Sequence, residues 1–425
     1  MSAFHPNRTL ALCLLSTHCG HCTSPSYASA MPIQYELILF GLMLAGVALF
    51  HKRALAVSLT GLALILAYEA TVTAFPTGRG MDALLLHAQH EWVIVTNLLL
   101  LLVGFELLAS HFERSNVSDH LPCHLPTGWT GGLTLLGIIF VLSGFLDNIA
   151  AAVLGGVMAR HLYKGRVSVG FLAAIVASAN AGGAGSVIGD TTTTIMWLNG
   201  VSPVTVLPAY LASAAAFAVF APLGAMAQER FEPSCADQPC DKPLHWRRIW
   251  IVSAILASAV AGNIFANILS DGEDTAPWLG LALWGALLLT SPLARVDWSG
   301  AKPALKGALF LVALVLSASL MPVRALPEPS WQSAFGLGLL SSVFDNIPLT
   351  VLALEQGGYD WALLAYAVGF GGSMVWFGSS AGVALTNDYP EGRSVTQWLK
   401  EGWFVPVAYL TGFAVMLALT GWNPS

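Results

Sequence analysis

Long apolar blocks separated by short polar segments fill the chain from residue 35 onwards. A helix needs about 17–25 predominantly apolar residues to cross a bilayer. Blocks of that order lie at Tyr35–Phe50, Ala54–Phe75, Trp92–Ser110, Trp129–Ala159, Val167–Leu198 and Pro203–Ala225. The polar stretch 227–248, with Cys235, Cys240 and charges of both signs, interrupts the series and reads as a linker. Further blocks follow at Ile249–Leu269, Ala276–Leu293, Gly307–Pro322, Trp331–Leu354, Trp361–Thr386 and Trp403–Thr420.

The order of block types is the same on either side of the linker: three plain spans, a long segment with Asp-Asn at its middle, a segment interrupted by glycines, and a final span. Phe145-Leu-Asp147-Asn148-Ile149 matches Val343-Phe-Asp345-Asn346-Ile347. Gly182-Gly183 and Gly189 match Gly371-Gly372 and Gly378, and Asp190-Thr191 falls opposite Ser379-Ser380. Residues 31–226 and 249–425 are therefore read as two copies of one repeat.

Charge decides how the blocks cross. If every block spans the membrane, Lys and Arg divide 12 to 6 between the two sides; if each Asp-Asn block is a re-entrant hairpin with Asp-Asn at its tip, they divide 15 to 3. Basic loops stay in the cytoplasm, so the hairpins are preferred. Each half then has an odd number of crossings, about ten in all, and the second half is inverted relative to the first, as is typical of secondary transporters. The linker becomes cytoplasmic; Arg8, Arg79 and Arg324 remain outside. The predicted fold is an all-α polytopic membrane protein of two inverted-topology repeats, each with three spans, a re-entrant hairpin, a broken helix and a final span.

Composition agrees with lipid as the main solvent: 56% of residues are hydrophobic and 10% charged, against about 25% charged in soluble domains. The net charge is −6, and the 18 basic residues form no patch interleaved with aromatics, which excludes nucleic acid as a partner. Residues 1–30 stand apart as an N-terminal extension. Arg8, the apolar run Leu10–Leu15 and Ala28-Ser-Ala30 resemble a poor signal peptide, and Met31 is the expected start. Cys19-Gly-His-Cys22, beside His18, has the spacing of a redox or zinc motif. It lacks a βαβ context or a second ligand pair, so no cofactor is expected.

A carboxylate at the centre of a bilayer costs about 2.5–3.5 kcal/mol and marks a pathway or relay by default. Asp147, Asp190 and Asp345 are the main instances; the plain alternative is that they cap the ends of broken helices. Glu69 and Glu106 lie near span ends, where they are expected to reach the interface, and Glu355 falls in an external loop. The run Asn180-Ala-Gly-Gly-Ala-Gly-Ser-Val-Ile-Gly-Asp190-Thr-Thr-Thr-Thr194 is the most informative. Each glycine weakens a helix by about 1 kcal/mol relative to Ala, so Gly182, Gly183 and Gly189 predict a break. The freed carbonyls, with Asp190, Thr191 and Thr192, offer an oxygen cage for a hard cation such as Na⁺. Gly371, Gly372 and Gly378 predict a second break, with Ser379 and Ser380 in place of the acid.

These strings, with Phe344-Asp-Asn-Ile-Pro348 and Gly378-Ser-Ser-Ala-Gly-Val383, resemble the broken-helix signatures of NhaD-type sodium/proton antiporters. Those belong to the ion transporter superfamily that includes citrate-transporter-like proteins and arsenite pumps. The resemblance covers most of residues 34–422. It implies two hairpins whose tips meet two broken helices around a central ion site, often in a homodimer. It places Asp147, Asn148, Asp345 and Asn346 at the tips and Asn180, Asp190 and Thr191 in the first broken helix, with Na⁺ expected on Asp190, Asn148 and Asn180. The antiporters tend to carry threonines after the first Asp-Asn, where this chain has Ala150 and Ala151.

The leading expectation is exchange of Na⁺ or Li⁺ for protons, with Asp190 as the carrier and Asp147 and Asp345 next, in the inner membrane of a bacterium. The alternative is uptake of citrate or another organic anion or oxyanion, coupled to Na⁺ or H⁺; none of the 18 Lys and Arg sits mid-span to hold such an anion. An intramembrane hydrolase is a distant alternative. An aspartyl protease needs glycine where Val187 stands, and His90-Glu91 is followed by no histidine at the spacing of a zinc protease. The protein is not expected to be an enzyme.

Overall fold

In the computed structural model, which describes residues 35–50, 53–71, 74–75, 78–79, 81–117, 125–234, 243–269, 276–322 and 326–425, the apolar blocks are helical. The first half contains α1 (Tyr35–Leu49), α2 (Ala54–Thr71), α3 (Met81–Glu113), α4 (Trp129–Ser143), α5 (Asn148–Leu162), α6 (Val169–Gly183), α7 (Thr191–Leu198), α8 (Pro203–Val206) and α9 (Ala209–Phe231). The second contains α10 (Trp246–Leu269), α11 (Trp278–Thr290), α12 (Ala301–Ser319), α13 (Trp331–Ser341), α14 (Asn346–Gln356), α15 (Trp361–Gly371), α16 (Ser380–Asp388), α17 (Val395–Glu401) and α18 (Phe404–Thr420). A two-residue antiparallel ladder, β1 (Ala74–Phe75) with β2 (Gly78–Arg79), follows α2, so the block expected to run to Phe75 ends its helix at Thr71. The Cys19-to-Cys22 run, the signal-like segment, Met31, Cys235, Cys240 and Arg324 lie outside the described residues.

The protein is a mostly helical, integral membrane protein. Among the described residues, Ala54–Thr71, Val95–Phe112, Pro203–Phe231 and Trp298–Ser319 are long and apolar enough to cross a bilayer, and α17 with α18 would add a fifth span bent by 63°. Large apolar side chains face outwards, with Leu49, Trp250 and Leu289 exposed at 75, 71 and 80%, as a lipid-facing surface requires.

The breaks fall where the glycines stand. α6 ends at Gly183 and α7 starts at Thr191; α15 ends at Gly371 and α16 starts at Ser380. Both α6 and α15 are buried along every residue, which is the fate of a helix apolar on all faces. They form the middle of one core shared by α4–α9 and α13–α18. A second cluster joins α1, α2, α3 and α12, and a third joins α3, α10 and α11.

Each Asp-Asn block turns back on itself. At the first turn the amides of Gly144, Phe145 and Leu146 donate to Val141, Leu142 and Leu142 at 3.1, 3.0 and 2.8 Å; at the second, Ser342, Val343 and Phe344 donate to Leu339, Leu340 and Leu340 at 3.2, 3.0 and 2.9 Å. The arms of α4 and α5 run antiparallel, Gly155 lying against Ile139 and Gly132 against the Tyr163 hydroxyl. Both ends of this hairpin reach the last turns of α9: the Gly128 amide donates to Ser234 Oγ at 2.7 Å, the Ser168 amide to Gln228 Oε1 at 2.8 Å, and Arg166 pairs with Glu232 at 2.9 Å. The ends of the α13–α14 hairpin also meet, Gln356 Nε2 donating to the Pro327 carbonyl at 2.7 Å. Beyond them the Trp361 indole donates to the Ser425 carbonyl at 3.1 Å, past the end of α18. α9 and α18 pack antiparallel: Gly224 lies against Phe404, and a Cβ on Gly412 would come 2.5 Å from the Ala212 carbonyl oxygen.

Small residues let the hairpins touch the broken helices. Ser143 Oγ donates to the Ala179 carbonyl at 2.5 Å, and Ser341 Oγ to the Val368 carbonyl at 2.7 Å. A Cβ on Gly182 would lie 2.0 Å from the Phe140 oxygen, and one on Gly371 would lie 2.1 Å from the Gly338 oxygen. Backbone therefore packs on backbone, which only glycine permits.

Candidate functional site

All three intramembrane aspartates sit at helix N-termini. Asp147 accepts the Ile149 amide at 3.3 Å at the start of α5, Asp190 the Thr192 amide at 3.2 Å at the start of α7, and Asp345 the Ile347 amide at 3.1 Å at the start of α14. The plain capping role is thus real for each. Capping occupies one oxygen of a carboxylate, and the other oxygens separate the three.

The remaining oxygen of Asp147 accepts Thr191 Oγ1 at 3.4 Å, and that of Asp345 accepts Ser380 Oγ at 3.0 Å. Asp190 differs. Its Oδ1 takes the Thr192 amide, the Thr192 hydroxyl at 3.2 Å and Asn148 Nδ2 at 3.2 Å, while its Oδ2 is buried with no hydrogen-bond partner. The residue is 1% exposed.

Asn180 ties this carboxylate to the other half of the chain. Its Oδ1 accepts Asn148 Nδ2 at 3.1 Å, and its own Nδ2 donates to Ser373 Oγ at 2.9 Å and Ser379 Oγ at 3.2 Å. Asp190, Asn148, Asn180, Thr192 and Ser379 therefore meet in one buried network. Asp147 with Thr191 and Asp345 with Ser380 form two flanking pairs, and Asn346 is buried in the first turn of α14. The break glycines Gly183, Gly189, Gly372 and Gly378 each leave less than 3.0 Å between an added Cβ and a carbonyl oxygen.

Several expectations change. Of the threonine run, Thr192 reaches Asp190, whereas Thr193 and Thr194 donate to the Ser186 and Val187 carbonyls at 2.5 and 2.8 Å and stitch the broken segment. Glu69 is 2% exposed and does not reach the interface. Glu106 is exposed near the C-terminal end of α3. It lines a cavity of about 450 Å³ with Asp345 and Ser380, and an adjoining one of about 190 Å³ with Asp147. Neither lining contains Lys or Arg. Glu355 is exposed as expected, though in the last turn of α14 rather than in a loop. Sequence reasoning missed Ser373, whose only signal was its place after the glycine pair.

Among the described residues no group of three His, Cys, Asp or Glu side chains is placed to hold a metal ion. Oxygen and amide groups around one carboxylate suit a small hard cation or a proton, as cargo.

Residues 37–371 match the family model described as citrate transporter, CitMHS. The chain belongs to that family. It is similar to sodium/proton antiporter 1 of Arabidopsis thaliana, 25% identical over 432 residues that cover 90% of this chain and 72% of the relative. Sodium/proton antiporter 2 of the same plant is 25% identical over 394 residues, 81% of this chain and 90% of the relative. The Na(+)/H(+) antiporter NhaD of Vibrio parahaemolyticus is 25% identical over 353 residues, 70% and 84%. The protein is thus a membrane transporter of the CitMHS family, similar to NhaD-type sodium/proton antiporters.

Proposed function

We propose that this CitMHS-family protein exchanges Na⁺, or Li⁺, for protons by competition at Asp190. The observation that carries the proposal is the unpartnered, buried Asp190 Oδ2. A bare carboxylate in a dry interior is costly, and among the described residues no cationic side chain hydrogen-bonds to it. A proton or a metal ion neutralises it, and the two cannot occupy the same oxygen together. If the neutral site reorients across the membrane and the charged one does not, one ion is exchanged for the other.

The topology that this needs is two inverted repeats, 31–226 and 249–425, with about ten crossings and a cytoplasmic linker at 227–248. Its support is that one hairpin returns to the end of α9 and the other to the end of α18, two helices that pack antiparallel. The division of basic residues, 15 against 3, supports it independently. The location proposed is the inner membrane of a bacterium, as a homodimer that mass measurement in detergent would identify.

In everted vesicles, Asp190→Asn is expected to abolish Na⁺-dependent proton release; full exchange by that variant refutes the assignment. Citrate uptake coupled to Na⁺ is the second reading, favoured by the family's description. Against it stands a cavity lined by Glu106 and Asp345 without a basic residue. Labelled citrate offered to proteoliposomes, with and without a Na⁺ gradient, separates the two.

A further inference from the structure

Glycines crowd the two breaks, and nearly all have one reason to be there. A Cβ added at Gly182, Gly183, Gly189, Gly371, Gly372 or Gly378 would come between 1.9 and 2.8 Å from a backbone carbonyl oxygen. Gly369 in α15 is different. A Cβ there would meet no backbone: it would lie 3.0 Å from Asp190 Oδ2, with the Ala184 Cβ at 3.9 Å as the sole other neighbour within 4 Å. The tight contact here is with a side-chain carboxylate and not with backbone.

Register sharpens the contrast. Aligning α6 and α15 on their glycine pairs, Gly182-Gly183 with Gly371-Gly372, sets Gly369 opposite Asn180. At the first position a side chain reaches across to Ser373 and Ser379. At the second there is none, and the space left open adjoins the one oxygen of the network that no donor reaches. That space also borders the last turn of α15, where helix carbonyls make the negative pole of the dipole. An unpartnered carboxylate oxygen, a negative helix end and no amide hydrogen-bonded to that oxygen describe a place for a positive charge.

We infer that the missing side chain of Gly369 makes the room in which a dehydrated alkali cation sits against Asp190 Oδ2, so that Gly369 sets the size of ion accepted. The inference rests on the exchange reading and deepens it. A proton needs no such room, since it bonds to the oxygen itself. A methyl group at position 369 therefore obstructs the cation and spares the proton, and it obstructs Na⁺ more than the smaller Li⁺.

The test uses the full chain in proteoliposomes, with proton movement driven by Na⁺ or by Li⁺. Gly369→Ala is expected to raise the apparent KM for Na⁺ about tenfold and that for Li⁺ by less, since selectivity follows cavity size. Gly285→Ala serves as control, because a Cβ there meets nothing within 4 Å, and should match the wild type. Wild-type KM values for both ions in Gly369→Ala overturn the inference and leave the exchange reading standing. Should Gly369→Ala fail to assemble, Ala184→Gly widens the same space from its other wall. A shift in the Na⁺ to Li⁺ KM ratio towards the larger ion then supports the inference, and an unchanged ratio overturns it. Wild-type protein that moves no protons with either ion overturns the exchange reading and this inference together.

Discussion

Asn180 joins three partners through one amide group, Asn148 on the carbonyl side and Ser373 and Ser379 on the other. It is fully buried, so its loss leaves polar groups without partners in a dry interior, at about 1–3 kcal/mol for an unsatisfied group. Asn180→Ala is expected to lower the thermal unfolding midpoint in detergent and to weaken Na⁺-dependent exchange. A midpoint equal to that of the wild type would count against the network as described. Asp190, Asn148, Asn180 and Ser379 were legible in the sequence because a polar side chain in an apolar block is a local anomaly. Ser373 was not, since a serine after two glycines reads as part of the break. Gly369 was illegible for a stronger reason: its contribution is a volume, and a volume exists only once Asp190 from the other half is folded against it.

At the scale of the element, a broken helix needs two things: residues that end it and neighbours that accept its exposed backbone. The glycines announce the first, and both breaks and both hairpin turns fell within the expected blocks. The second came from contacts that no single block contains, such as Thr193 and Thr194 closing onto Ser186 and Val187. Gly182→Ala and Gly371→Ala, whose methyl groups would stand 2.0 and 2.1 Å from the carbonyl oxygens of Phe140 and Gly338, are expected to prevent stable assembly. Gly336→Ala, in open space, is expected to purify like the wild type. Size-exclusion profiles of the three variants check this, and a monodisperse Gly182→Ala protein would contradict the backbone contact. Helix ends were less legible than helix middles. α3 runs from Met81 to Glu113 where the apolar block spans Trp92–Ser110, because a helix continues beyond its apolar stretch as long as its backbone bonds can be made. The bend of 63° between α17 and α18 was not read from the sequence, where the last apolar block begins only at Trp403.

For the whole molecule, the proposed inversion assigns the two hairpin bases to opposite faces of the membrane. In a background without the six native cysteines, Lys164→Cys at the base of the first hairpin and Glu355→Cys at the base of the second are expected to react with impermeant maleimide from opposite sides. Labelling of both from one side would remove the inversion. In the sequence, the expectation of this arrangement rests on the repeated order of blocks and on loop charge. The sequence could not show that the two halves share a single network, because Asn180 lies far along the chain from the serines it holds. Severing the chain between Ser234 and Pro243 therefore yields two fragments that each lack part of the centre. Residues 1–234 retain Asn148, Asn180 and Asp190 without Ser373, Ser379 or the open wall at Gly369. Co-production of both fragments is expected to restore what neither does alone, with complementation as the signature of a site that belongs to the seam rather than to either piece.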